Sequence, residues 1–248
     1  MTVIKSSEEV AIMRKAGKIV AAVLQRLKEE VRPGIQTRQL DAVAVEELKK
    51  YGGRASFKGY RGFPSSLCVS VNDEVVHGIP SARRLNEGDI VSLDFGAIVQ
   101  GFHGDAAITV GVGGISPNAQ RLMDVTEGAL MEGVKAAHNG ARLGDISSAI
   151  QDYVELRGFS VVREYSGHGV GRSLHEDPLV PNLGTRGEGP TMRKGMTLAL
   201  EPMVNAGGWR TRVAGNQWTV LTADGSLSAH FEHTIAISDG GSEVLTLL

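Results

Sequence analysis

The sequence predicts an α+β fold built from two similar halves. Three observations carry this. Each half opens with two amphipathic helical segments and continues into short strand-like runs, the order expected when helices cover one side of an antiparallel sheet. The halves overlay: aligning Gly34 with Gly140 also aligns Leu40 with Ile146, Leu48 with Val154 and Gly52 with Gly158, and one residue further on Gly88 falls on Gly195 and Asp94 on Glu201. No Pro-, Gly- or Ser-rich linker separates them. The expectation is one domain over residues 1–248, with an internal repeat at approximately 6–112 and 113–248. The halves are expected to relate by a pseudo-twofold and to share one site.

The elements follow in order. Ser6 and Glu9 form a capping-box pair. Behind them Ile12, Met13, Ala16, Ile19, Val20, Val23, Leu24 and Leu27 recur at helical spacing, so a helix runs until shortly before Pro33-Gly34. Thr37 is placed to cap a second helix through Leu40, Ala44 and Leu48, stopped by Gly52-Gly53. "SSLCVSVND", "DIVSLDFGAIV" and "GFHGDAAITV" then read as strands. In the second half Ser116-Pro117 supplies an N-cap and a first helical residue. That helix runs through Leu122, Val125, Leu130 and Val134 to Asn139-Gly140. A shorter one starts near Asp145 and stops at Gly158. "FSVVREYS", "GMTLALEPMV", "NQWTVLTAD" and "FEHTIAIS" read as further strands.

Composition narrows the function classes. Of 248 residues 42% are hydrophobic and 22% charged, an ordinary globular balance with enough chain for a sizeable core. A net charge of −2 offers no basic surplus for nucleic acid or an anionic membrane. The single cysteine, Cys68, excludes an intramolecular disulfide and a cysteine-based zinc knuckle, and makes the reducing cytoplasm the expected setting. "MTVIKSSEEV" has no apolar core of a signal peptide, and no stretch nears the ~18 apolar residues of a membrane span. A monomer is the default.

The chemistry sits in "VSLDFGAIVQGFHGDAAITV". If this hairpin turns at Val99-Gln100, Asp94 faces Asp105. If it turns at Gln100-Gly101, Asp105 faces Gly96 and Asp94 is its diagonal neighbour. Both registers put the two carboxylates on one face, where like charges repel. A shared proton, solvent or cations could relieve that. "MTLALEPMV" places Glu201 inside another apolar strand, and "SAHFEHTIAI" places Glu232 in a third. "EYSGHGVGRSLHEDP" adds His168 between glycines and His175 beyond it. Four carboxylates with one imidazole suit hard or borderline divalent metals, and that much negative charge asks for two ions.

In order and spacing, "VVHGIP", "LDFGAIVQGFHGDAA", "YSGHGVGRSLHEDP", "LALEPM" and "FEHTIAI" resemble the methionine aminopeptidases, over nearly the whole chain. The short interval between His168 and Glu201 leaves no room for the long insert of the type II enzymes. Together with the absence of an N-terminal zinc-binding extension, it resembles the short bacterial type I form. The resemblance implies a pita-bread α+β fold with a curved antiparallel central sheet. It implies five ligands, Asp94, Asp105, His168, Glu201 and Glu232, for two divalent ions, with Asp105 and Glu232 bridging; Co(II), Mn(II), Fe(II) and Zn(II) all suit such donors. It implies Glu201 as general base, with His175 and His77 acting on the substrate. Tyr60, Phe63, Cys68 and Trp218 match the pocket for a methionine side chain. The implied reaction is removal of the initiator methionine from nascent chains with a small second residue, by metal-activated water. The ribosome is a candidate partner, with no membrane and no direct nucleic-acid contact.

Three positions depart from the family pattern: His230 where glutamine is expected, Leu183 where an aromatic is expected, and Leu174 where phenylalanine is common. None is an implied metal ligand, so they bear on substrate tolerance. His103 reads as a structural histidine. The same fold serves enzymes that cut bonds involving proline, which usually carry an extra N-terminal domain. Non-catalytic relatives bind nucleic acid or ribosomes but typically lose metal ligands. A dinucleotide-binding reading fails because "GHGVGR" lacks the third glycine of the motif.

Overall fold

The computed structural model describes residues 2–248, so Met1 of the expected unit lies outside the described residues. Helix α1 (Ser7–Glu30) starts where its capping box predicts. The Ser6 hydroxyl accepts from the Glu9 amide while the Glu9 carboxylate accepts from the Ser6 amide. Helix α2 (Thr37–Lys50) corrects one expectation, because Thr37 is its first helical residue and not its cap. The Thr37 hydroxyl is taken by Ser81, accepting from its amide at 2.8 Å and donating to its carbonyl at 3.2 Å. Gln39 instead accepts from the Gln36 amide at 2.9 Å. A long-range partner has displaced the local cap.

Strands β1 (Arg54–Ala55), β2 (Leu67–Val71), β3 (Glu74–Val76), β4 (Ile90–Val99) and β5 (Phe102–Gly111) complete the first half. The second half repeats the plan. Helix α3 (Pro117–Ala136) is capped by Ser116, and α4 (Leu143–Glu155) follows. Then come β6 (Ser160–Val161), β7 (Ser166–Gly169), β8 (Glu176–Pro181), β9 (Thr197–Leu200) and β10 (Met203–Asn205). The chain closes with β11 (Thr211–Val213), β12 (Val220–Thr222), β13 (Ser228–His230), β14 (Glu232–Ser238) and β15 (Gly241–Val244).

The main antiparallel sheet runs β1-β4-β5-β14-β9-β7-β8, with β2 on β4 and β15 on β14. Its centre is β5 beside β14, one strand from each half, flanked by β4 and β9. This is the pseudo-twofold arrangement of an α+β pita-bread fold. Each half packs its own helices on the sheet. Val20, Leu27, Leu40, Leu93 and Phe95 centre one core, and Leu122, Leu130, Ile146, Leu198 and Ile235 the other. Two smaller sheets, β13-β10-β6 and β11-β12-β3, accompany it, and β12 on β3 joins the second half to the first.

The β4–β5 hairpin adopts the second of its two registers. Val99 pairs with Phe102, so Gln100-Gly101 form the turn, both with positive φ (49° and 82°) as a two-residue hairpin loop requires. Asp105 faces Gly96 and Asp94 faces Ala107.

One further expectation is corrected. "GMTLALEPMV" is not one strand: β9 ends at Leu200 and β10 begins at Met203. Pro202 has no N–H to continue a ladder, so Glu201 lies in the break. The His168 segment is itself a strand, β7, paired with β8 and β9. Its glycines hid it. A Cβ on Gly167 would lie 2.3 Å from the Ala199 carbonyl oxygen, and one on Gly169 2.3 Å from that of Asp177. Only glycine lets the neighbouring backbones approach this closely.

Gly167→Ala is therefore expected to cost at least about 2 kcal/mol by forcing β7 off β9. Denaturant unfolding measures this. A midpoint equal to that of the wild type would show that the strand tolerates a Cβ there.

Candidate active site

The sheet's central strands converge their acids. Asp94 comes from β4, Asp105 from β5, Glu232 from the start of β14, Glu201 from the break after β9 and His168 from β7. One ligand atom each from Asp105, His168 and Glu232 lies within 4.8 Å of the others. His168 Nε2 is 3.4 Å from one Glu201 oxygen, and His230 Nε2 is 3.9 Å from the other. The Asn182 amide donates to the Glu201 carbonyl at 3.0 Å, holding the backbone of the break. All five residues named from the sequence line one pocket.

Its electrostatics are one-sided. Asp94 Oδ1, Asp105 Oδ1 and Glu232 Oε1 are buried and accept no hydrogen bond. Burial raises the pKa of all four acids. Asp94 is pushed up to about 7, opposed by the Cys68 thiol beside it. Asp105, Glu201 and Glu232 go well above the carboxylate range, because each is also close to other acids of the group. Burial drives His168 down to about 4, so its imidazole is neutral. Its Nδ1 lies 2.8 Å from the Gly169 carbonyl, which can only accept. Nδ1 therefore carries the proton and Nε2 presents a lone pair. Unpartnered carboxylate oxygens around an imidazole lone pair are the donor set of divalent cations, and the residues present fit such ions.

Above these groups is a small pocket of about 150 Å³, walled by Phe57, Tyr60, Phe63, Cys68, Leu174 and Trp218. Phe63 and Trp218 meet edge to face at 5.2 Å. Cys68 pairs with Asp94 across β2 and β4, and burial with the nearby acids keeps its thiol protonated. The pocket is well below the ~300–1,000 Å³ of sites for larger ligands, and suits one side chain. His175 and His77 also line it. His175 Nδ1 is 2.8 Å from the Tyr60 hydroxyl, and its ring lies 4.1 Å from that of His168. Burial, then His168, lowers the His175 pKa to about 3. His77 has φ +59°, a sparsely populated backbone for a residue with a side chain, and its imidazole meets Tyr165 edge-on at 6.2 Å.

The structure sorts the remaining residues. Phe57 is a wall that sequence reasoning missed, since a lone aromatic in "RASFKGY" carries no periodic signal. Leu174 lines the pocket, whereas Leu183 packs against the core of the second half and His230 faces Glu201. His103 bonds to the Ser56 hydroxyl at 2.9 Å, outside the pocket.

Raised carboxyl pKa values make metal-free stability depend on pH. Where the folded state holds protons that the unfolded chain has released, stability falls as pH rises. For Asp94 that window runs from about 4, the unfolded value, to about 7. The melting temperature of metal-free protein is expected to fall across it. Mn(II) should raise the melting temperature more at pH 8 than at pH 5, because cations displace those protons. Scanning calorimetry tests this, and a cation-induced shift independent of pH would contradict it.

The chain matches metallopeptidase family M24 over residues 11–239. It is 53% identical to the methionine aminopeptidase of Clostridium perfringens, covering 100% of both chains. It is 52% identical to methionine aminopeptidase 1 of Bacillus subtilis, covering 99% of both. The crystal structure of methionine aminopeptidase from Thermotoga maritima superposes with a TM-score of 0.99 at 48% identity, covering 100% of both chains. With its acids converging beneath a pocket for one side chain, the chain belongs to metallopeptidase family M24, among the methionine aminopeptidases.

Proposed function

We propose that the protein removes the initiator methionine from nascent polypeptides whose second residue is small. One observation carries this reading: four clustered acids, three of them with buried oxygens that accept no hydrogen bond, lie against an apolar pocket large enough for one side chain. The whole chain acts as a single catalytic unit, because the acids come from both halves and neither half holds the cluster alone. A monomer working in the cytoplasm, where nascent chains emerge beside the ribosome, is the simplest setting. No helix among the described residues is long and apolar enough to cross a membrane.

Asp94, Asp105, His168, Glu201 and Glu232 would hold two divalent ions. When bound, such ions keep the acids ionised, polarise the scissile carbonyl and lower the pKa of a water at the site. Phe57, Tyr60, Phe63, Leu174 and Trp218 enclose the methionine side chain, and the neutral Cys68 thiol offers a soft contact to its sulfur. Glu201 takes the proton of the attacking water and delivers it to the leaving amine. With the Tyr60 hydroxyl donating to His175 Nδ1, the Nε2–H of His175 is left to donate to the developing oxyanion. His77 hydrogen-bonds the substrate backbone beyond the first residue. The confined site excludes a bulky second side chain.

Glu201→Gln is expected to keep the fold and lower kcat by roughly 100-fold or more, read in steady-state kinetics with Mn(II) present. Near-normal turnover would remove the general base. Metal-supplemented enzyme is expected to cut Met-Ala-Ser and leave an Ala-Pro peptide intact. The reverse preference would move the protein to the proline-directed enzymes.

A further inference from the structure

His230, where the resemblance leads one to expect glutamine, lies against Glu201. Its side chain is only 2% exposed and its Nε2 is buried without a hydrogen-bond partner. Its backbone is clamped by Thr109, whose hydroxyl donates to the His230 carbonyl at 2.7 Å and accepts from its amide at 2.9 Å. It also pairs with Met203, two residues beyond Glu201. The imidazole is thus mounted on fixed backbone with Nε2 3.9 Å from the Glu201 carboxylate.

The other Glu201 oxygen faces His168 Nε2, which bears a lone pair and offers it no proton. Glu201 therefore sits between two imidazoles of opposite character. A neutral imidazole has one N–H to give, and leaving it buried and unpaired is costly. Closing the gap to hydrogen-bond length needs about 1 Å of carboxylate movement. Glu201 lies in the Pro202 break, outside any strand, so its side chain is freer to move than one within the ladder.

We propose that His230 is a positioning residue for Glu201, donating Nε2–H to its outer oxygen in the metal-loaded enzyme and holding the carboxylate in its proton-accepting orientation. The proposal rests on Glu201 being the general base. It assigns to His230 a part in turnover that involves no contact with the substrate.

The test compares His230→Gln, which keeps a donor, with His230→Leu, which fills the space without one. Both are assayed as Mn(II)-loaded enzyme on Met-Ala-Ser, with bound Mn(II) counted by calorimetry. His230→Gln is expected to keep kcat within about 3-fold. His230→Leu is expected to lose roughly 30- to 100-fold in kcat with KM within about 2-fold, the effect of a displaced reacting group, and with Mn(II) stoichiometry unchanged. Wild-type kcat in His230→Leu overturns the proposal. So does loss of one Mn(II) equivalent, which would make His230 a ligand, or failure of His230→Gln to retain activity. If His230→Leu does not fold, His230→Ser, too short to reach Glu201, is read against His230→Gln in the same way. Glu201→Gln separates the two readings. If that variant turns over normally, the general-base assignment fails. If it is inactive while His230→Leu is normal, only the positioning role fails.

Discussion

Mutual repulsion among four buried carboxylates is the constraint on which the rest of this structure depends. Two unit charges about 4 Å apart repel by about 4 kcal/mol even at an effective dielectric of 20. The backbones that carry Asp94, Asp105, Glu201 and Glu232 cannot relieve this by moving apart. Three of them are mounted on paired strands at the centre of the sheet, and the fourth is held through its carbonyl by Asn182. In metal-free protein the relief is protonation, which is why burial and neighbouring acids raise all four pKa values. With cations present the same geometry is attractive. In the proposed function that repulsion is turned into affinity, with the unpartnered oxygens as ligands.

The two-half architecture is what makes such a cluster possible. A single strand presents at most alternate residues to one face, so a dense acid cluster needs several strands side by side. Here β5 and β14 meet at the seam, each bringing one acid, with β4 and β9 carrying their partners outside them. The helices of each half cover the sheet and supply hydrophobic stabilisation. Close approach of β7 to β9 and β8, permitted by Gly167 and Gly169, adds the imidazole.

Around the acids the side chains divide by chemistry. Apolar walls and a protonated thiol form the pocket. His168 turns a lone pair inward because a carbonyl holds its other proton, while His175 is oriented by the Tyr60 hydroxyl. His230 approaches the Glu201 oxygen that His168 does not, and is not among the residues lining the pocket. A departure that looked like a matter of substrate tolerance is thus placed against the group proposed to move the proton.

Much of this was legible in the sequence by itself. Capping at Ser6 and Ser116, apolar periodicity and turn glycines are local signals, and they determined the helices, the hairpin and the α+β order. Acids in apolar strands are costly enough to be conspicuous, so four candidates stood out before any coordinates, and the resemblance joined the glycine-flanked His168 to them as a ligand set. The tertiary structure alone decided the rest: which hairpin register is used, that Thr37 serves Ser81 instead of its helix, that Glu201 falls in a strand break, that the glycine-flanked His168 is in a strand, and that Leu183 and His230 lie away from the pocket walls. The reason is physical. Each of these depends on a partner distant in sequence, such as Ala199 against Gly167 or Thr109 against His230, and pattern within a short window holds no information about which distant backbone will arrive there.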